Sequence, residues 1–204
     1  FKIKKAKAII VMYNGGYPHN AEKFLKFKRK LNCFIIEDAC HALGASYKYK
    51  NSFKKIGSCS HADICTFSLH PLKTITSGEG GVVTTNSKYL DKKIKMYRSL
   101  GIRRLNNKHW EYDVSLCGFN FRLNEFQSAL GISQLKKINL FINKRKQIAK
   151  IYNNELKKIK EVNIPKYNTN MNPSYHLYII NSNFSHAKKN KFFNFMKKKK
   201  IMIQ

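Results

Sequence analysis

Along this chain, short runs of β-favouring apolar positions alternate with stretches in which apolar residues return every third or fourth place, the marks of buried strands and amphipathic helices. AKAIIVMY (6–13) closes on the turn signal NGG and predicts a buried strand. NAEKFLKFKRKLN follows, with Asn20 as candidate N-cap and Phe24, Leu25, Phe27 and Leu31 at helical intervals. CFIIED returns to strand character and ends on two acids. Strand, helix, strand in that order is the pattern of a parallel crossover unit in an α/β sheet.

ADICTFSL (62–69) and GGVVTTN (80–86) predict two more strands, with a helix over 87–100 after them. A loop through NNKHWEYDVSLCGFNFR leads to a long helical stretch over 124–160, broken near Ile138 and Asn139. IPKYNTNMNPS reads as a polar linker, YHLYII as a strand and HAKKNKFFNFMKKKK as a helix. The shift in composition puts a boundary between Leu135 and Ser174, and the division adopted is 1–137 for a large α/β domain and 138–204 for a connecting helix and the start of a smaller α+β domain. No internal repeat is visible. With no initiating Met, and with Phe1 and KKKKIMIQ at its two ends, the chain reads as a segment of a longer polypeptide.

Composition adds limits. A chain of 204 residues that is 43% hydrophobic has material for a real core. Its 40 lysines and arginines against 11 acids, a formal net charge of +29, raise phosphate backbones as partners. The basic residues are scattered through every segment and travel with Asn, Ile, Tyr and Phe, so a general bias toward Lys and Asn explains them better than a nucleic-acid surface; the basic nucleic-acid-binding module stays as the alternative. No helix-turn-helix, zinc-finger or aromatic RNA-binding signature is present. Cys33, Cys40, Cys59, Cys65 and Cys117 are odd in number with no Cys-x-x-Cys pair, which fits reduced thiols in a cytoplasmic protein. No apolar run approaches the roughly 20 residues that span a bilayer. Neither nucleic acid nor membrane is therefore expected as a partner, and no metal site.

In open α/β sheets ligands lie beyond the carboxyl ends of the strands. Asp38 ends one strand and the turn from Ser68 to Lys73 follows another, so both can face one crevice. A lysine is a useful nucleophile when it forms a Schiff base with a carbonyl, and pyridoxal phosphate is the common cofactor that uses one. That cofactor also needs a carboxylate at its ring nitrogen, a polar neighbour for its phenolic oxygen, and hydroxyls or amides for its phosphate. Asp38, His41 and Ser68 are candidates. Chemistry by itself goes no further than this.

Three segments carry more. EDACHALGA (37–45), TFSLHPLKTITSGEGGVVTTN (66–86) and GFNFRLNEFQSALGISQLKK (118–137) resemble, in order and spacing, the signatures of the DegT/DnrJ/EryC1/StrS sugar aminotransferases. The resemblance implies a pyridoxal-phosphate transferase of fold type I, with part of a large domain whose mixed, mostly parallel sheet is flanked by helices. By motif position it implies Lys73 as the catalytic lysine on the cofactor aldehyde, Asp38 at the pyridinium nitrogen, His41 at the phenolic oxygen and Ser68 on the phosphate. Asn120 resembles the asparagine that reaches the neighbouring subunit's phosphate, which implies a homodimer with a shared site. The implied reaction moves an amino group, from glutamate as donor, to a keto group on a nucleotide-linked deoxysugar. Within the family, the segments are most similar to members that aminate C4 of a UDP-4-keto-6-deoxy-N-acetylhexosamine on the route to pseudaminic acid, in surface-polysaccharide chemistry. Members with histidine in place of the lysine dehydrate sugars, so Lys73 favours amino transfer.

Two departures stand out. Val11 and Tyr13 occupy positions where members often have Pro and His. The family's amino-terminal phosphate loop and ring-stacking aromatic have no counterpart among these residues, so the chain alone is expected to be an incomplete, inactive fragment. Plainer readings compete elsewhere. His70 reads as structural, Glu79 as an acid shaping the GEGG turn beside conformationally free glycines, and the role of His176 is open. Cys59, His61, Asp63 and Cys65 alternate as if on one strand face, too far apart for one metal ion, and read as core thiols beside polar residues.

Overall fold

The computed structural model describes residues 5–19, 22–105, 108, 110–166 and 169–203, so Asn20, the expected helix cap, lies outside the described residues. Strand β1 (Ala8–Met12) leads through a 3₁₀ turn to helix α1 (Glu22–Leu31), then to strand β2 (Phe34–Asp38). The two strands are parallel, Ala8 beside Phe34 and Met12 beside Asp38, as the crossover pattern requires. Glu22 in the first turn of α1 and Lys28, Arg29 and Lys30 in its last oppose the helix dipole favourably.

A hairpin follows that the hydrophobic pattern did not announce: β3 (Ser46–Tyr49) and β4 (Ser52–Lys55), antiparallel. Its turn carries Lys50 at φ 51, a left-handed position where the usual signals are Gly or Asn. Strand β5 (Ile64–Ser68) returns to the main sheet parallel to β2, and β6 (Gly81–Thr84) lies antiparallel on β5. The four-stranded order is β1-β2-β5-β6, mixed and mostly parallel.

Helix α2 (Lys88–Arg98) begins at Ser87, whose hydroxyl accepts the Leu90 amide. Where the pattern reads as loop, β7 (Ile102–Arg104) and β8 (Tyr112–Val114) form a small hairpin; most of its side chains are exposed, so no alternation marks it. Asn124 and Gln127 form a capping box at the start of α3 (Glu125–Leu135), and Lys136 and Lys137 separate it from α4 (Ile138–Leu156). Strands β9 (Val162–Asn163), β10 (Met171–Asn172) and β11 (Asn181–Ser182) are two residues each, and helix α5 (His186–Lys198) is capped by Ser185.

The chain divides into two compact units, 1–146 with 167–177, and 147–166 with 178–204. In the first, β10 adds to β3, and a core of Val11, Tyr13, Ile35, Ala39, Ala42, Tyr47, Cys65 and Phe67 is sealed between the strands and the loops at their ends. In the second, β11 pairs with β9, Lys188 of α5 reaches Glu161, and the Tyr178 hydroxyl donates to Asn153.

The strand expected over YHLYII does not form. Tyr175 sits at φ 51, and the backbone around it bonds to a turn and a side chain instead of a neighbouring strand: Ser174 and Leu177 amides donate to Gly16 and Gly15 carbonyls, and Arg145 donates to the carbonyls of Tyr175 and His176. Among the described residues no helix is long and apolar enough to cross a membrane.

Candidate active site

Register places the first group. Asp38, the last residue of β2, is beside Thr66 of β5, and Ser68 ends β5 two residues on, so a carboxylate and a hydroxyl stand at the carboxyl ends of adjacent parallel strands. Asp38 Oδ1 accepts the Cys40 amide at 3.1 Å, an Asx-type turn that bends the chain away from the sheet. The Cys40 thiol lies against the same carboxylate and the Ser68 backbone; burial first, then Asp38, push it up to about 11, so it stays a thiol near neutrality. His70 donates its amide to Ser68 Oγ at 3.3 Å.

Lys73 rides on the loop that follows. Leu69 closes the neck: its amide donates to Gly80, and its carbonyl accepts the Ser77 amide and the Thr76 hydroxyl. Ser77 Oγ donates to the Glu79 carbonyl at 2.7 Å, and Gln127 of α3 donates to that carbonyl as well. Thr74, Ile75 and Ser77 are buried, which anchors the residues after Lys73 while Lys73 itself is half-buried. Gly78 at φ 84 and Gly80 at φ 143 take angles that side chains rarely adopt, the role expected for the glycines of this turn. His70 works inside the loop, with Nδ1 accepting the Leu72 amide and Nε2 at 3.8 Å from Glu79 Oε1.

His41 completes the group. The Gly15 amide donates to its Nδ1 at 3.2 Å, and the His176 ring lies against it with centroids 4.3 Å apart. Burial, then the positive charge of Lys73, hold His41 below the usual imidazole range, with Asp38 acting the other way. His176 is pulled down to about 4 by burial, His41, Lys73 and Arg145 in that order. Its Nδ1 is sealed from solvent and has no hydrogen-bond partner among the described residues, a cost of about 1–3 kcal/mol for an unsatisfied buried polar atom. Asp38, His41, Lys73 and His176 therefore share one electrostatic neighbourhood.

Behind the sheet, Glu37 points opposite to Asp38, as adjacent strand residues must. It is 2% exposed, its Oε1 accepts the Tyr13 hydroxyl at 2.7 Å, and its Oε2 has no hydrogen-bond partner among the described residues. Burial raises its carboxyl above the ordinary range despite bonds from Tyr13 and Cys65. Tyr13, where the sequence departs from the family pattern, is fully buried in this network, and its own hydroxyl is pushed up by burial and by Glu37.

Asn120 stands apart from the other four predicted residues. Its backbone bridges Ser99 beyond the end of α2, its side chain is exposed between Phe119 and Phe121, and no hydrogen bond links it to Asp38, His41, Ser68 or Lys73 among the described residues. The residues of CSHADIC also disperse, because the strand begins only at Ile64 and Cys59 turns away at φ 49. Cys59 meets Thr84, His61 meets Tyr47, Asp63 accepts the Ile35 amide and pairs with Lys28 at 2.6 Å, and Cys65 faces Glu37. Cys40, Arg145 and Ser174 join the site without having been expected there. Cys40 lies between the predicted Asp38 and His41 in sequence, a usable signal; nothing local distinguishes Arg145 from its neighbours on α4.

The mixed, mostly parallel α/β sheet is the fold of solved sugar aminotransferases. The structure superposes on that of Helicobacter pylori PseC, described as an aminotransferase involved in the biosynthesis of pseudoaminic acid, with a TM-score of 0.83 at 35% identity, over 95% of this chain and 50% of that one. The chain belongs to the DegT/DnrJ/EryC1/StrS aminotransferase family, whose model matches residues 3–204. It is 40% identical over 173 residues to the UDP-4-amino-4,6-dideoxy-N-acetyl-beta-L-altrosamine transaminase of Campylobacter jejuni strain 81-176, covering 85% of this chain and 44% of the relative. It is 36% identical to MJ1066 of Methanocaldococcus jannaschii, over 97% of this chain and 52% of that protein. The chain thus spans about half the length of the curated relatives it matches.

Proposed function

We infer that this chain supplies the lysine-bearing part of a cytoplasmic, pyridoxal-phosphate-dependent nucleotide-sugar aminotransferase. Amino transfer from a donor such as glutamate to C4 of a 4-keto-6-deoxy nucleotide sugar is the reaction, feeding pseudaminic acid or surface-polysaccharide synthesis. The observation that carries this reading is the shared neighbourhood of Asp38, His41 and Lys73 at the carboxyl ends of β2 and β5, in a chain of this family. The choice of sugar rests on the names of the Campylobacter and Helicobacter relatives.

The donor set suits such a cofactor: a carboxylate held by one oxygen, an ammonium on a braced loop, an imidazole whose Nδ1 already accepts a bond, and a strand-end hydroxyl. When bound, pyridoxal phosphate supplies an aldehyde for amines and an electron sink that stabilises the negative charge left when a proton departs. Asp38 would keep a proton on the ring nitrogen, and a neutral His41 would donate from Nε2 to the phenolic oxygen. Ser68 would donate to the phosphate. Lys73 Nζ would hold the aldehyde and, once displaced, move a proton between donor and acceptor carbons. Asn120, exposed and turned away from these groups, would serve a second copy of the chain, so the active assembly is a homodimer with shared sites.

The test is spectroscopic. The full-length polypeptide incubated with pyridoxal phosphate should show the long-wavelength absorption of a lysine-bound cofactor, and Lys73→Ala should lose it while keeping its fold by circular dichroism. A band that survives Lys73→Ala unchanged, or none in the parent, refutes the reading.

A further inference from the structure

The His176 ring packs against His41 in a tilted arrangement, at 4.3 Å between centroids and 32° between planes, yet its Nδ1 is sealed from solvent and bonds to nothing among the described residues. With that nitrogen buried and unbonded, the contact the ring makes here is its packing against His41. Its backbone is held unusually well for a segment outside regular structure. Ser174 Oγ donates to the His41 carbonyl at 2.9 Å, the amides of Ser174 and Leu177 donate to Gly16 and Gly15, and Arg145 from α4 donates to the carbonyls of Tyr175 and His176. Gly16, at φ 85, has no room for a side chain, because a Cβ there would stand 2.6 Å from the His41 carbonyl oxygen. The 174–177 segment is thus a strap tied to the same turn, 15–16, that donates to His41 Nδ1.

We propose that His176 is a positioning residue for His41: carried by this strap, its ring holds the His41 imidazole in the one orientation and tautomer in which Nδ1 accepts the Gly15 amide and Nε2 bears the proton. An imidazole that accepts at Nδ1 has Nε2 as its remaining donor. The charged groups facing the pair agree with an uncharged ring: Lys73 from the loop after β5 and Arg145 from α4 disfavour a second positive charge, and Asp38 at the end of β2 acts the other way. Cys40, beside Asp38, remains a neutral thiol. The strap accounts for an otherwise costly buried nitrogen and for the abandoned strand at 175–180. It rests on the placement of His41 in the proposed site and not on the cofactor's identity.

Histidine-selective ¹⁵N NMR on the full-length polypeptide without cofactor, across a pH titration, reads this directly. The parent should show His41 as a single Nε2–H tautomer that resists protonation below the ordinary imidazole midpoint. His176→Phe, which keeps a flat ring, should retain that tautomer. His176→Ala and His176→Gln should lose it, giving mixed tautomers and a midpoint moved back toward the ordinary value. Circular dichroism and the dispersion of the remaining signals establish that each variant is folded, and if Ala is not, Gln decides against Phe. An unchanged His41 signature in folded His176→Gln, or a mixture already present in the parent, overturns the proposal. Either result is separate from the absorption test above, since a cofactor that never binds leaves this tautomer readout intact.

Discussion

Glu37 and His176 oppose one another in acid. His176 is held near 4 when folded against an ordinary 6.5, so the folded state leaves it uncharged where the unfolded chain protonates it. Its stabilising contribution is complete above about pH 6.5 and is lost as pH falls toward about 4, at a limiting slope of about 1.4 kcal/mol per unit for one proton. Glu37 is raised from 4.5, so the folded state keeps a proton that the unfolded chain releases, and this contribution fades as pH rises from 4.5. Above pH 4.5 the two slopes therefore run in opposite directions. Glu37→Gln keeps an acceptor for the Tyr13 hydroxyl and removes one slope, so urea midpoints for this variant should fall more steeply on acidification than in the parent. Parallel curves would mean that Glu37 does not hold its proton.

Three segments meet at the 3₁₀ turn Asn14–Gly16, where β1 ends, the loop after β2 passes and the strap crosses. Gly16 combines a left-handed φ of 85 with a Cβ position already occupied by Ser174 Oγ and the His41 backbone. A left-handed L-residue costs about 1–2 kcal/mol on conformation alone, and the clash adds to it. Gly16→Ala should lower unfolding free energy by about 2 kcal/mol or more in denaturant melts and should release the His41 tautomer by displacing the strap. Gly78, also left-handed but with open space where a Cβ would stand, should respond only with the conformational part. Equal losses at both sites would remove the strap's close packing from the account.

For the whole molecule the exposed aromatic residues around Asn120 matter most. Phe119 and Phe121 stack at 5.0 Å while 56% and 68% exposed, and Phe126 is 88% exposed. Exposed aromatic clusters of this kind mark association surfaces. If a second copy of the chain covers them, sedimentation velocity of the full-length polypeptide should give a dimer, and the double variant Phe119→Asp, Phe121→Asp should shift it to monomer with loss of cofactor uptake. Asn120→Ala should leave the dimer intact and weaken cofactor binding. Dimers that bind cofactor normally without the Asn120 amide would exclude the shared site.

Much of this was readable from residue order. Periodicity located β1, α1, β2, β5, β6, α2, the broken α3–α4 pair and α5, because each carries a run of β-favouring apolar residues or apolar residues at helical spacing. The strand-helix-strand order implied the parallel pairing of β1 with β2, but not that of β2 with β5, which brings Asp38 and Ser68 to neighbouring strand ends across an intervening hairpin; the motif around Lys73 gave that lysine its chemical context within a strongly basic chain. The hairpins β3–β4 and β7–β8 escaped notice because neither shows a clean alternation: β3 buries Ser46 and Tyr47 in succession, and β7 and β8 are mostly exposed. YHLYII misled for the opposite reason: its composition suits a strand, yet its backbone groups are satisfied by Gly15, Gly16 and Arg145, partners far away in sequence. Residue types and their order determined the sheet, its carboxyl-end crevice and the chemistry of the candidates. Only the tertiary structure decided that the His176 ring packs against His41, that the Gly15 amide donates to His41 Nδ1, and that the Asn120 side chain is exposed, because close approach between distant segments depends on packing and leaves no period in the chain.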